Sequence, residues 1–546
     1  MGKKLSAKYQ KVVQNIYVNN ILAFVYCALT AFAVLVICTR SSFLYPFNNW
    51  DDVNSYFSMG KGIFNGVVPY RDLFDQKGFY LYFIYGVAYL MSHTTLHGVF
   101  VIEIISTTID TFIIIRIYRL YMRKELAYIF APLTLMIMFS TYSFYWGGSA
   151  EEFMLPYMLG AIYLALEYFK CSYPDEISYI KVLICGILAG FVLNIKFNSL
   201  GLFAGWMLMI ILADILIGIR RDELIIMIGK AFLKGLTYIG GMILATIPWI
   251  IYLAIHSAVD DYFRVYIYLN VFVYQEQNPL PVKLYNMCKI IYNKLLDNKI
   301  VLFMIILGFA FFVLRALLNT LNNKADKNYI IRMLNHESRD DRANTTLECL
   351  SLIMMASLLL IGIFIGGVEL PYYITPITSF TCVGFIALGI ILERQLTDIE
   401  LGAILTTILC CVSIVVSVVY VYLMSGNVHF MRYNKSDLVQ YQFAQIIRDS
   451  GIENPTLLNV GCLDCGLYTT TGIVPTVYYF QTQTIKLSNI SEIQEQAIIN
   501  GEVDFIVSRD YIPDVAEENY ELVGEMVQNT DYYEFTYYLL QKKAAD

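Results

Sequence analysis

Asp51 and Asp52, in NNWDDVNSYF (48–57), directly follow an apolar run long enough to cross a bilayer. A carboxylate at a membrane edge can take a proton from a hydroxyl group, as a general base does. The same two acids also suit a helix start, where Asp satisfies free backbone N–H groups. The stretch GVVPYRDLFDQKGFYLYFIYG (66–86) sets Arg71, Asp72, Asp75 and Lys77 hard against an aromatic, apolar run. Arg offers a planar fork matched to phosphate and Lys a compact point charge. Both suit the phosphate of a lipid carrier, unless they simply pair with Asp72 and Asp75. Glu151 and Glu152, in YWGGSAEEF (145–153), either join such a site or open a helix whose dipole favours them. Lys196 and Asn198, in NIKFNSLG (194–201), stand at the end of an apolar run. The lysine there either faces phosphate or snorkels to the interface. Together these groups describe a site for an anionic lipid and a hydroxyl acceptor.

The elements that must position them are membrane helices. Of the 546 residues 58% are hydrophobic and 15% charged, and the mean hydropathy is +0.57. Soluble domains are less apolar and more charged. Eleven runs reach spanning length: Ile21–Thr39, Leu96–Ile115, Ala127–Tyr145, Phe153–Phe169, Ile180–Ile195, Leu200–Ile219, Ala231–Ile255, Lys299–Leu318, Leu347–Ile365, Tyr373–Leu392 and Leu401–Met424. The first follows Lys3, Lys4, Lys8 and Lys11, is long for a cleaved leader, and lacks a small-residue cleavage site, so it reads as an uncleaved span.

Phe79–Met91 is a twelfth candidate, and the distribution of basic loops tests it. With the lysine tail inside and 79–91 not crossing, the loops 116–125, 219–223 and 315–345 fall in the cytoplasm. Were 79–91 to cross, all three would move outside, so it reads as an interfacial helix. The same parity places 40–95, 145–153, 196–199, 256–298, 366–373 and everything after 424 on the outer face. Every carboxylate cluster at a membrane edge then shares one side.

Residues 425–546 carry 7 Lys+Arg against 17 Asp+Glu, a balance of −10 where the whole chain has −7. Short β-branched or aromatic runs at 456–461, 476–480, 503–508 and 535–541 alternate with turns and an amphipathic stretch at 435–449. That pattern predicts a water-soluble α/β domain. It holds no GxGxxG or P-loop, and the chain has no basic, aromatic-laced stripe for nucleic acid. Cys462 and Cys465 form a single CxxC without the two further ligands that zinc needs, which leaves a local disulfide or two inert thiols.

An ordered series of these motifs resembles the bacterial polytopic glycosyltransferases of the GT-C fold, distant relatives of the protein O-mannosyltransferases and the lipid A aminoarabinose transferase. DVNSYFSMGKGIFNGVVPYRDLFDQKG (52–78) is similar to that family's first outer loop, and GGSAEEFMLPYMLGAIYL (147–164) to its second. GILAGFVLNIKFNSLG (186–201), FRVYIYLNVFVY (263–274) and LLNVGCLDCGLYTTTGIVPTVYYF (457–480) are similar to later segments. The resemblance implies an α-helical membrane domain (21–424) behind a cytoplasmic tail (1–20). Juxtamembrane helices in the first outer loop and an extracytoplasmic α/β domain (425–546) complete the expected architecture.

It further implies an inverting transferase in the plasma membrane. The enzyme would move a sugar from a polyprenyl-phosphate carrier to a polymer, glycolipid or protein of the cell envelope. The catalytic Asp of the family matches Asp52, with Asp51 as neighbour. Substrate contacts are implied at Tyr70, Arg71, Asp72, Asp75, Lys77, Glu151, Glu152, Lys196, Asn198, Asn270, Tyr372 and Tyr373. Relatives often carry a His before the last tyrosine pair, where this chain has Pro371. No metal ligand is therefore carried over, and a divalent metal is left open. The competing class is a lipid or oligosaccharide transporter, for which Glu103 and Asp110 within the second span speak.

Overall fold

In hydrocarbon every backbone N–H and C=O must find a partner within its own segment, so apolar runs of spanning length become helices. The structure, a computed structural model, describes residues 20–274, 278–321, 345–396, 399–485, 487–529 and 534–544. Lys3, Lys4, Lys8, Lys11 and most of the basic stretch 315–345 lie outside the described residues.

In chain order the helices are α1 (Asn20–Cys38), α2 (Asp51–Phe64), α3 (Phe79–Met91), α4 (His97–Tyr118), α5 (Lys124–Phe139), α6 (Leu155–Glu167) and α7 (Tyr179–Leu193). There follow α8 (Gly201–Arg221), α9 (Leu224–Ile255), α10 (Leu280–Asp297), α11 (Lys299–Leu321), α12 (Thr345–Phe364), α13 (Thr381–Gln395) and α14 (Ala403–Met424). Among the described residues eight are long and apolar enough to cross a membrane: α1, α4, α8, α9, α11, α12, α14, and α13 with the turn that begins at Pro371. The expected spans at 127–145 and 180–195 form α5 and α7, of 16 and 15 residues, about 22–24 Å at 1.5 Å per residue and less than the roughly 30 Å of hydrocarbon; the span at 153–169 forms α6, which runs on as a π-helix through Ser172. The α3 helix has 13 residues and is shorter than α5 and α7; it lies against α2 and α4. Small residues let helices approach closely: a Cβ on Gly186 of α7 would sit 2.1 Å from the Tyr238 carbonyl of α9.

The loops assigned to the outer face meet at one end of the bundle. Tyr80 N donates to Asn194 O (2.9 Å) and Thr375 Oγ1 to Ser143 O (2.6 Å). Asn270 Nδ2 donates to Gln76 O (2.9 Å) and Asn427 Nδ2 to Tyr145 O (2.8 Å). At the opposite end Arg123, between α4 and α5, pairs with Glu393 of α13 at 2.9 Å.

After α14 comes a small domain with α15 (Val439–Asp449), β1 (Leu457–Val460), α16 (Asn489–Ile499), β2 (Phe505–Arg509), β3 (Tyr520–Gln528) and β4 (Phe535–Lys542). Its sheet has the order β1-β2-β4-β3, with β1 and β2 parallel and the other pairings antiparallel. Alternation sorts the two faces. Leu458, Val460, Ile506 and Leu540 make a separate core with Ala497 and Ile498 of α16. Leu457, Phe505, Val507 and Leu539 join the core that is continuous with the membrane helices. The run 476–480, expected as a strand, is not one: its carbonyls are taken by Phe74 N and Asn459 N, so it bridges the two parts. The β3 strand escaped the sequence reading because its charged, half-exposed residues hide the alternation.

One face of α2 holds this domain. Asn54, Ser55, Ser58 and Lys61 recur at helical spacing. Thr469 Oγ1 donates to Asn54 Oδ1 (2.8 Å), Ser55 Oγ to Gln481 Oε1 (2.6 Å) and Ser58 Oγ to Asp464 Oδ2 (2.6 Å). The buried Lys61 ammonium donates to the carbonyls of Tyr468 and Ile473. Cys462 and Cys465 are buried and unpaired.

Candidate functional site

Asp51 and Asp52 occupy the first turn of α2, after Trp50, which caps no backbone group through its side chain. Successive helical residues point about 100° apart, so the two carboxylates serve different neighbours. Asp52 Oδ2 accepts from Tyr372 Oη at 2.7 Å and from Tyr56 Oη, one turn along α2, at 3.2 Å. The Trp50 ring packs edge-on against Tyr372 at 4.8 Å and fixes that tyrosine.

Asp51 turns to the C-terminal domain, where its Oδ2 accepts from Arg509 Nη1 at 3.2 Å. Burial pushes its carboxyl up to about 7, although Arg509 opposes the shift. A carboxyl raised from 3.8 in this way contributes stability that is fully present below about pH 4 and lost as pH rises through about 7. Asp51→Asn, neutral throughout, should therefore flatten the fall in thermal midpoint between pH 4 and 7 in detergent. An unchanged slope would remove Asp51 as its source.

The loop before α3 is fixed so as to aim one lysine. Tyr70 adopts a left-handed φ of 71°, rare for a bulky residue, and its hydroxyl donates to Lys77 O at 2.8 Å. Lys77 N donates to Tyr82 Oη at 2.8 Å, and that hydroxyl donates to Asp75 Oδ2 at 2.9 Å. Gly78 abuts the α7 end so closely that a Cβ would lie 2.1 Å from Asn194 O. With its backbone held on both sides, Lys77 reaches over the Tyr56 ring, 5.6 Å from its centroid. It forms no ion pair among the described residues. Burial pulls its ammonium down, but Asp52, Asp75, Tyr274 and Glu151 together hold it above its ordinary value. Lys77 is therefore a fixed positive charge.

Lys196 enters from the α7 end. It pairs with Glu151 and stands 3.5 Å from the ring centroid of Tyr373. Between the two lysines opens a cavity of about 270 Å³. Its lining combines polar residues (Gln76, Lys77, Lys196, Asn198, Asn270 and Tyr373) with apolar ones (Phe197, Ile363, Ile365 and Val368). An anionic head with an apolar tail fits that mixed lining.

Of the residues expected from sequence, Lys77, Lys196, Asn198, Asn270 and Tyr373 line the cavity. Glu151 pairs with Lys196 and Tyr372 stacks with that lysine, Asp52 is bonded to Tyr372, and Tyr70 and Asp75 support the Lys77 loop. Arg71 and Asp72 do not belong to it. They pair with each other at 2.7 Å on an exposed turn, and Arg71 donates to His256 O at 2.6 Å. Adjacent opposite charges facing water satisfy one another at once, and that outweighs reaching inward. Glu152 also turns away: it accepts from Gly148 N (2.8 Å) and is buried beside Glu103, which accepts from Thr39 (2.9 Å). Glu152 starts a helical turn. Asp51 meets Arg509 rather than the cavity.

Sequence reasoning missed Tyr56, Gln76, Tyr274 and Arg509. Tyr56 was findable, since it lies four residues after Asp52 on a helix. Arg509 carried no signal, being 458 residues from its partner. No group of three or more His, Cys, Asp or Glu among the described residues is placed to hold a metal.

No protein-family model and no curated protein matches the sequence. Solved structures do match the fold. ArnT from Cupriavidus metallidurans bound to undecaprenyl phosphate superposes with a TM-score of 0.56 at 12% identity, over 95% of this chain and 97% of that one. The apo state of the same protein gives 0.54 at 12%, over 96% and 98%. The archaeal oligosaccharyltransferase AglB from Archaeoglobus fulgidus, in complex with an inhibitory peptide and a dolichol-phosphate, gives 0.43 at 12%, over 90% and 70%. The chain has the GT-C fold that ArnT has, an α-helical membrane part followed by a small sheet domain.

Proposed function

We propose that the chain is a membrane glycosyltransferase that moves a sugar from a polyprenyl-phosphate carrier to a hydroxyl acceptor of the cell envelope. The observation that carries this reading is Asp52, held by two tyrosine hydroxyls, near a cavity whose lining combines two lysines with apolar side chains. The ArnT fold, crystallised with undecaprenyl phosphate, supports the same donor class.

In this reading the donor phosphate lies between Lys77 and Lys196, and its isoprenoid packs on the apolar side chains of the lining. Asp52 accepts the acceptor's proton. The acceptor oxygen forms a bond to the anomeric carbon as the bond from that carbon to the phosphate oxygen breaks, with inversion. The phosphate leaves with the electron pair. Charge grows on it as it leaves, and a preorganised ammonium in a site of low dielectric stabilises that change more than water would. Glu151 neutralises Lys196, so Lys77 supplies the net charge. The activated donor provides the driving force, and no nucleotide site is needed.

The reading is tested with the full chain in liposomes, by release of polyprenyl phosphate from a labelled polyprenyl-phosphate sugar. Movement of the intact lipid between leaflets with no release would instead establish the transporter reading.

The site is further proposed to face outward from the plasma membrane, with the N-terminus cytoplasmic. Cysteines introduced at 120–124 should resist an impermeant thiol reagent in intact cells, while those at 510–514 react. Labelling at both would refute this orientation.

A further inference from the structure

Two buried acids near the cavity take no part in that reaction. Glu103, in the second turn of α4, and Glu152 are 0% and 1% exposed, and neither forms an ion pair among the described residues. Both converge on one backbone turn. Gly148 N donates to Glu152 Oε2 at 2.8 Å and is in hydrogen-bonding contact with Glu103 as well, which also accepts from Thr39 Oγ1 at 2.9 Å. Gly147 and Gly148 adopt left-handed φ values of 82° and 81°. A Cβ on Gly147 would sit 2.2 Å from Thr39 Oγ1 and 2.9 Å from Glu103 Oε1, so the loop closes over the acids only with glycine there.

The two carboxyls are themselves in hydrogen-bonding contact. Two ionised carboxylates at that range only repel, and one shared proton turns the repulsion into a bond. The proton belongs to Glu152. Its Oε1 is buried and meets no N–H or O–H among the described residues, as befits the oxygen that is itself the donor, while Glu103 accepts from Thr39 as a carboxylate does. Burial, and then the charge of Glu103, push the Glu152 carboxyl well above its ordinary value. The other titratable groups facing the pair are Asp110 on α4, Cys38 on α1 and Tyr85 on α3, and none of them is a cation that would keep both acids ionised.

Resting on the transferase reading, we propose that protonated Glu152 donates a hydrogen bond to ionised Glu103 and thereby positions Glu151 against Lys196. The bond ties the 147–152 loop to α4. Glu151 is the adjacent residue of the same turn and points about 100° away, toward Lys196, so the tie on one acid sets where the other reaches. Tyr85 of α3 adds a third anchor, its hydroxyl donating to Gly148 O. Glu152 does not line the cavity and acts on it through Glu151, which makes it a positioning residue.

The test takes two readouts from the full-length protein in detergent. One is the thermal midpoint against pH; the other is displacement of radiolabelled polyprenyl phosphate by the unlabelled carrier, which needs no acceptor. A carboxyl raised by folding contributes stability that is fully present below its ordinary value of 4.5 and lost as pH rises through its folded value. Glu152→Gln stays neutral and offers Glu103 an N–H. It should flatten the fall in midpoint at rising pH and keep carrier affinity within about twofold. Glu152→Ala removes the bond and should weaken the carrier about tenfold. An unchanged slope in Glu152→Gln would overturn the inference, as would a loss of carrier affinity in that variant as large as the alanine variant's. Full carrier affinity in Glu152→Ala would leave the bond nothing to position and overturn it too. Should polyprenyl phosphate fail to bind the wild type, the lipid-phosphate reading falls instead, and the midpoint slopes still decide whether the pair shares a proton.

Discussion

Asp52→Asn should lower the rate of sugar transfer by about 100- to 10,000-fold, the usual loss when a general base is removed. The substitution keeps the size of the side chain and an oxygen to accept from Tyr372 and Tyr56, so α2 should start as before. It takes away the charge and the proton-accepting capacity. Donor affinity should change little, because Asp52 does not line the cavity and the phosphate is assigned to the lysines. Turnover and donor displacement should therefore be measured on the same preparation. Asp51→Asn is the internal control: its carboxylate faces Arg509, so its variant should retain transfer within about tenfold. Normal turnover in Asp52→Asn combined with a collapse in Asp51→Asn would move the base by one residue. Normal turnover in both and in the double variant would end the base mechanism.

Lys77→Ala should have the complementary effect, with donor binding lost and transfer down about 100- to 1,000-fold, the range for removing one preorganised stabilising group. The size follows from its setting. Lys196 is already neutralised by Glu151, so without Lys77 the cavity lining carries no net positive charge to meet a phosphate. Lys77→Arg should restore binding only in part, since a planar fork does not replace a point charge on a fixed stem. The loop is braced through backbone and tyrosine contacts, so Lys77→Ala should fold, and its thermal midpoint verifies this. Unaltered displacement by the carrier would take Lys77 out of the phosphate site.

How much of this was legible beforehand differs with the kind of interaction. Spans and the helical start at Asp51 were readable, because hydrophobicity and capping are local in sequence. The gathering of the carboxylate loops followed from counting basic residues between spans, and hydrogen bonds from Tyr80 to Asn194 and from Asn270 to Gln76 bear out that they meet. Tyr372 and Tyr373 were named only through resemblance; nothing in PYY says that one hydroxyl will reach a carboxylate 320 residues away. Arg71 and Lys77 read alike as phosphate candidates, yet Arg71 pairs with Asp72 on an exposed turn and Lys77 lines the cavity. Glu151 and Glu152 are the same residue type at adjacent positions, yet one faces Lys196 and the other Gly148. Only the rotation of a single helical turn decides between them, and composition is blind to that.

The docking of the C-terminal domain on α2 has a consequence for the order in which the protein is made. Residues 54–61 emerge early from the ribosome, but their partners, Asp464, Tyr468, Thr469, Ile473 and Gln481, are synthesised some four hundred positions later. Arg509, the partner of Asp51, comes later still. At translation rates of about 5–20 residues per second, the segment bearing Asp52 waits tens of seconds for its support. A chain cut short by a nonsense codon or a stalled ribosome would insert its helices and remain without a finished site. Completion of the polypeptide is thus what supplies α2 with these contacts.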